Sequence, residues 1–261
     1  MIASFFQSLE SGGIEYLLIS GQAAVLYGAA EFSEDIDLWI APASNNIDAF
    51  TKVLREHKAK YYKLTPSLHS QYLERGHGFH FTFPDADGRD VFLDIMGRPP
   101  RASDFATAKR NAVLMDSEWG SLRTIGIKHL VEIKKTQRLE DYAVISRLAL
   151  EHFQRLGAGV AQAEYLWGLN NIFTLSALSE FFEKYPAAVE LPATPLTPQL
   201  QFGKGLVAGH VSPKMEEDAN QAMSMQMAEL QAKDRAYWRV VIRELRELRT
   251  AGKLIKEGAP V

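Results

Sequence analysis

The sequence predicts an α/β protein of the α+β kind: a mixed sheet flanked by helices, followed by a mainly helical C-terminal region. Three observations predict it. Residues 15–40 read in succession as strand, tight glycine turn, helix and strand. Residues 79–96 carry two apolar runs around Pro84-Asp85-Ala86-Asp87-Gly88, the composition of a hairpin turn. Beyond Pro99 and Pro100 the apolar spacing changes to helical periods.

Taken in order, residues 2–10 are expected to form a short amphipathic helix stopped by Gly12 and Gly13, and residues 15–20 a strand ending at Gly21. Small and apolar residues over 22–27 suit a helix, and Ser44 or Asn45 can cap another over 46–56. Further strands are expected at 61–64, 79–83 and 91–96. Helices follow over 103–113, 127–136, 140–153 and 161–185. Pro186, Pro192, Pro195, Pro198 and Pro213, with several glycines, predict an irregular stretch at about 186–214 that is mobile or ordered by a partner. A long charged helix over 215–251 ends near Gly252. The organisation expected is a sheet-bearing core over 1–100, a helical extension over 101–155 and a helical C-terminal region over 156–261.

With 261 residues the chain is long enough to bury a sizeable core, and its net charge of −3 argues against a protein that coats nucleic acid with a broadly basic surface. Cysteine is absent, which removes disulfides, thiolate nucleophiles and the usual structural zinc sites. The N-terminal residues lack a basic, apolar signal-peptide pattern, and no uncharged apolar run reaches membrane-spanning length. A cytoplasmic protein with no membrane association is expected.

The chemistry is concentrated in residues 35–40, Asp-Ile-Asp-Leu-Trp-Ile. Side chains at i and i+2 of a strand share a face at roughly 6.5–7 Å, so Asp35 and Asp37 can share divalent ions. Ionised carboxylates among Ile36, Leu38, Trp39 and Ile40 are costly unless a cation or the water of a cleft meets them. Magnesium binds through one or two carboxylates together with substrate phosphates. A third acid, Asp94, sits in the equally apolar run Val-Phe-Leu-Asp-Ile-Met, and would join the pair if the two strands are neighbours. Upstream, the Ser20-Gly21 turn opens a helix whose free N–H groups suit an anion, and glycine lets a phosphate approach the backbone.

These residues resemble the nucleotidyltransferase superfamily related to DNA polymerase beta. Its core joins a Gly-Gly or Gly-Ser turn and short helix to an Asp-x-Asp strand and a third Asp on a neighbouring strand. Within it, the run Leu-Leu-Ile-Ser-Gly-Gln-Ala-Ala-Val-Leu-Tyr-Gly followed by Asp-Ile-Asp-Leu-Trp-Ile is similar to small bacterial nucleotidyltransferases that include AbiEii-like toxins. The resemblance covers roughly residues 14–150. It implies a nucleotidyltransferase-type sheet and transfer of a nucleoside monophosphate from an NTP to a hydroxyl acceptor, with Asp35, Asp37 and Asp94 as catalytic residues holding two Mg2+ or Mn2+ ions. Ser20 and Gly21 would seat the triphosphate. In the helical extension, Lys134 or Lys135 could reach it, while Arg138 and Asp141 would orient the helix pair or the nucleotide. The alternative for these four is an exposed helical face with i, i+3 charge pairs. Two positions depart from the pattern: Ser20 replaces a glycine, and Glu31 stands where many relatives carry an arginine.

The implied acceptor is tRNA or other RNA, or a protein, as for the toxin of a toxin–antitoxin pair. The alternatives are an aminoglycoside-type antibiotic or a non-catalytic nucleotide-binding or interaction module. The C-terminal helices could be an antitoxin or homodimer surface. From Arg235 to Lys256 seven basic residues stand against Glu244 and Glu247, with Trp238, Val241, Ile242, Leu245 and Leu248 on another face. Such a stripe can hold an RNA backbone or lie solvated on a packed helix. His77 and His80 are expected to be structural, or one of them a cleft residue, and Arg98 a phosphate contact or a solvated side chain.

Overall fold

In a computed structural model, which describes residues 2–157, 159–192 and 196–261, the chain forms two compact units. One comprises residues 1–26, 30–133 and 236–261, the other 27–29 and 134–235. These bounds differ from the expected 100 and 155. Pro195 lies outside the described residues.

The first unit is built on a seven-stranded mixed sheet: β1 (Tyr16–Leu18), β2 (Ile36–Ile40), β3 (Lys60–Tyr61), β4 (Gly78–Pro84), β5 (Asp90–Met96), β6 (Val113–Ser117) and β7 (Gly120–Thr124). Their order across the sheet is β3-β4-β5-β2-β1-β7-β6. β2 runs parallel to β5 and β1 parallel to β7, while the other neighbours are antiparallel. Helices α1 (Ile2–Ser11), α2 (Ser20–Leu26), α3 (Ser44–Glu56), α4 (Ser70–Glu74), α5 (Phe105–Arg110) and α6 (Ile127–Ile133) belong to the same unit.

Strand alternation divides the sheet residues between two faces. Ile36, Leu38 and Ile40 of β2, Phe79, Phe81 and Phe83 of β4, and Leu93 and Ile95 of β5 point into one core with Phe5, Phe6 and Phe50. Their i+1 neighbours, the acids among them, therefore point the other way. Burying a large apolar side chain contributes about 1.5–3 kcal/mol, so this alternation fixes the register: a one-residue slip would exchange the two sets.

Several elements differ from expectation for identifiable reasons. The strand expected at 61–64 shortens to Lys60–Tyr61 because Thr65 pairs with Ile255 instead and Pro66 has no N–H to offer. The expected cap of α3 is not a serine or asparagine side chain. Ala43 holds the cap position, and Asn46 is drawn inward, accepting from Glu15 N at 2.7 Å and donating to Glu15 O and Ala41 O at 3.1 and 3.0 Å. The helix expected over 103–113 ends at Arg110, with Asp104 accepting from Thr107 N at 2.8 Å as its N-cap. The following β6–β7 hairpin was masked in the sequence by its poor alternation, since edge strand β6 leaves Val113 and Leu114 exposed. Beyond the last helix, residues 253–261 return along the other edge, where Tyr61 N donates to Ala259 O at 2.9 Å and Val261 N to Ala59 O at 3.1 Å.

The second unit is helical: α7 (Glu140–Leu156), α8 (Gln162–Leu169), α9 (Leu175–Lys184), a 3-10 turn (Pro186–Glu190) and α10 (Thr197–Val207). Its core gathers Phe153, Leu169, Leu178, Phe181, Phe182 and Phe202. The single helix expected over 161–185 is interrupted at residues 170–174, where Thr174 caps α9 by accepting from Ala177 N at 3.3 Å. Residues 186–214 are not wholly irregular, because Pro186 and Pro198 occupy first-turn positions where the missing N–H costs nothing. The last helix, α11 (Pro213–Thr250), matches the expected long charged helix closely, and the division between the units falls within it at 235/236. No helix among the described residues is long and apolar enough to cross a membrane.

Candidate functional site

On the face of the sheet opposite the aromatic core, the register sets three polar residues in one row across adjacent strands. Asp37 of β2 lies opposite Asp94 of β5, and Asp94 lies opposite His80 of β4. Neighbouring strands are about 4.8 Å apart, so the row is short. Asp35 immediately precedes β2, two residues from Asp37 and on the same side. Trp39, next on that side, fixes the far end of β2 by donating Nε1–H to Gly97 O at 2.9 Å, at the end of β5.

Asp94 is the most elaborately held of the acids. Its Oδ1 accepts from Tyr62 Oη at 2.6 Å and pairs with His80 Nδ1 at 2.8 Å. Both bonds go to one oxygen, Oδ1. Burial, the largest single influence, pushes the Asp94 pKa up, but the His80 and Tyr62 hydrogen bonds and the charges of His80 and Lys63 outweigh it and hold the carboxyl below its usual value. Asp35 moves the other way: burial first and the negative charge of Asp94 second raise its pKa against the pull of Lys63. Burial and the bond to Asp94 also raise the Tyr62 phenol well above its usual value, so it remains a donor. The three carboxylates thus share one electrostatic environment, in which Asp94 is held ionised and Asp35 is not comfortably so.

Tyr62 and Lys63 are the residues that sequence reasoning missed. Lys63 Nζ stands 4.7 Å from the Tyr62 ring centroid. The signal was weak because both follow a two-residue strand and acquire a role only through β4–β5 pairing. Lys63 supplies a cation that Glu31, exposed in the loop before β2, cannot. Phe32 in the same loop is 74% exposed, unusual for a phenylalanine.

The turn before α2 holds this loop. Ser20 adopts φ +57°, a left-handed conformation that favours glycine. At Gly21 the reason for glycine differs from the one expected. A Cβ there would collide with the Ser33 side chain, so the space is taken by the loop, and Gln22 Nε2 donates to Ser33 O at 2.7 Å. Ser20 to Gln22 therefore set the path of the chain into Asp35.

The other candidates take distinct places. Lys134, Lys135, Arg138 and Asp141 lie in the second unit. Lys134, Lys135 and Asp141 are buried, so the reading of an exposed charged face does not hold for them. Lys134 Nζ pairs with Asp141 Oδ1 at 2.8 Å, Thr136 Oγ1 donates to Asp141 Oδ2 at 2.5 Å, and Arg138 Nε approaches the same oxygen at 3.3 Å. Burial raises the Asp141 pKa, yet these partners, Lys134 foremost, bring it below the usual value. His77 is fully buried, with Nε2 3.0 Å from Glu244 Oε2, a structural role; His80 is the site residue of the pair. Arg98 has an exposed side chain, and its carbonyl accepts from Tyr237 Oη at 3.0 Å. Ile242, expected on the apolar face of α11, is 44% exposed.

The donor chemistry of Asp35, Asp37 and Asp94, all carboxylate oxygen, fits magnesium rather than zinc. Among the described residues no three His, Asp or Glu groups are gathered into a ready-made metal cage. Magnesium does not require one, since it retains waters and takes ligands from substrate phosphates. No protein-family model matches the chain, and no curated protein sequence is significantly similar to it.

Proposed function

We propose that the chain is a metal-dependent nucleotidyltransferase, moving a nucleoside monophosphate from an NTP to a hydroxyl acceptor. The observation that carries this reading is the cross-strand row of Asp37 and Asp94, with Asp35 on the same side and His80 closing the row. A merely solvated strand face would not need Asp94 to be held ionised by two donors on one oxygen.

In this reading Asp35 and Asp37 would hold Mg2+ or Mn2+ and Asp94 would complete the second site. Bound divalent ions supply positive charge that lowers the pKa of the attacking hydroxyl and neutralises the leaving pyrophosphate. The acceptor oxygen attacks the α-phosphorus, its proton passes to Asp94 Oδ2, and the bond to the β-phosphate oxygen breaks as pyrophosphate departs. Tyr62 and His80 keep Asp94 oriented, while Lys63 adds a fixed cation beside the triphosphate. Phe32 offers an exposed ring face on which the nucleobase can stack. Pairing of Lys134 with Asp141 supports a structural role for that lysine rather than direct phosphate contact.

The test is a soak with Mn2+ and a non-hydrolysable NTP. Two ions about 3.5–4 Å apart among Asp35, Asp37 and Asp94 are expected. Absence of both metal and nucleotide at millimolar concentration would count against the reading and favour a non-catalytic interaction module.

A further inference from the structure

We infer that the C-terminal part of α11 is a docking surface for the phosphodiester backbone of single-stranded RNA, carried by Arg239, Arg243, Arg246 and Arg249. All four side chains are exposed, and among the described residues none of their guanidinium groups has an ion-pair or hydrogen-bond partner. Arg243 does not pair with Glu247 one turn on, although i, i+4 partners on a helix commonly meet. At helical spacing the four lie within an arc of roughly a third of the helix circumference, along about 15 Å of axis. That length corresponds to about four nucleotides of one strand at roughly 3.4 Å per step.

The opposite face of this helix is fixed. Val241 is buried, Glu244 binds Arg75 at 2.5 Å and His77 at 3.0 Å, and Tyr237 Oη donates to Arg98 O. These anchors lie next to the site strands: His77 is three residues before His80, and Arg98 four residues after Asp94. Glu244, one of the two acids of this stretch, is thereby turned away and committed. Burial raises its pKa, but His77 and Arg75 hold it below its usual value, so its charge is retained where it anchors the helix. The arginines are left as a preorganised cationic row on the free face of the helix, in a chain whose net charge is −3.

The choice of RNA over another polyanion rests on the proposed transfer to a hydroxyl, which RNA offers at every ribose. Docking itself needs neither NTP nor metal, so it can be measured apart from catalysis. Fluorescence anisotropy with a labelled 20-nucleotide RNA should show binding at 50 mM salt, with log K falling against log[salt] at a slope of about −3 for four neutralised phosphates. R243Q/R246Q, whose side chains hold nothing else, should fold normally by circular dichroism, lose at least tenfold in affinity at low salt and show a slope of about −1.4. Asp37→Ala should bind RNA like the wild type, which separates failure of docking from failure of the catalytic reading. The inference is overturned by no binding at 50 mM salt, by equal affinity and slope in R243Q/R246Q, or by a preference for vesicles of anionic phospholipid over RNA.

Discussion

Asp35 carries the cost of the site. An aspartate whose folded-state pKa is raised binds its proton more tightly when folded, so its contribution to stability is full below the ordinary value of about 3.9 and is lost as pH rises through the raised value. At neutral pH the ionised side chain therefore destabilises the fold, and Asp35→Asn should move the urea midpoint upward at pH 7 while abolishing transfer. An unchanged or lower midpoint would show that burial and the neighbouring charge of Asp94 do not penalise the ionised side chain. Asp94 has the opposite sign: its stabilising effect is present above the ordinary value and is lost as pH falls through the lowered one. Phe32→Ala should raise KM for the NTP by about 5- to 150-fold, matching a lost stacking contact of about 1–3 kcal/mol, with kcat largely kept. The three acids were legible in the sequence because Asp37 and Asp94 interrupt apolar runs and Asp35 stands two residues before Asp37. Tyr62 and Lys63 were not, since nothing local in Tyr-Tyr-Lys-Leu says which strand will lie beside it.

Among elements, those with a clear period or a consistent alternation were readable: β2, β4, β5, α1 and α11 stand close to where residue spacing puts them. Elements decided by tertiary partners were not. The β6–β7 hairpin has its own edge exposed, α10 carries in its first turn a proline, Pro198, that reads as a breaker, and the C-terminal segment is held by backbone pairing that leaves no pattern in side chains. That segment covers β3, and Ile255 packs against the sheet core, so Ile255→Asp should cost about 2–4 kcal/mol in urea unfolding and promote aggregation through the uncovered edge. A loss below 0.5 kcal/mol would mean that the segment merely rests there. In the second unit, Asp141→Asn leaves Lys134 buried without its ionised partner and should cost about 3–5 kcal/mol. Calorimetry on this variant would expose a marginal effect, which would restore Lys134 as a candidate phosphate ligand.

For the whole molecule, the fold class followed from the succession of periods, and the site followed from it only in part. The sequence could pair Asp35 with Asp37 by spacing, but the neighbour relation of Asp37 and Asp94 depends on β5 passing beside β2, with α3, β3, α4 and β4 intervening in the chain. In the proposed function, this face of the sheet transfers a nucleoside monophosphate. Incubation with NTPs labelled at the α-phosphate, Mg2+ and total RNA or cell protein tests it most directly, with γ-labelled NTP as the parallel arm. The account predicts label on an acceptor from the α-phosphate alone, lost by at least a thousandfold in folded Asp37→Ala; label from the γ-phosphate, or undiminished α-label with Asp37→Ala, would contradict it.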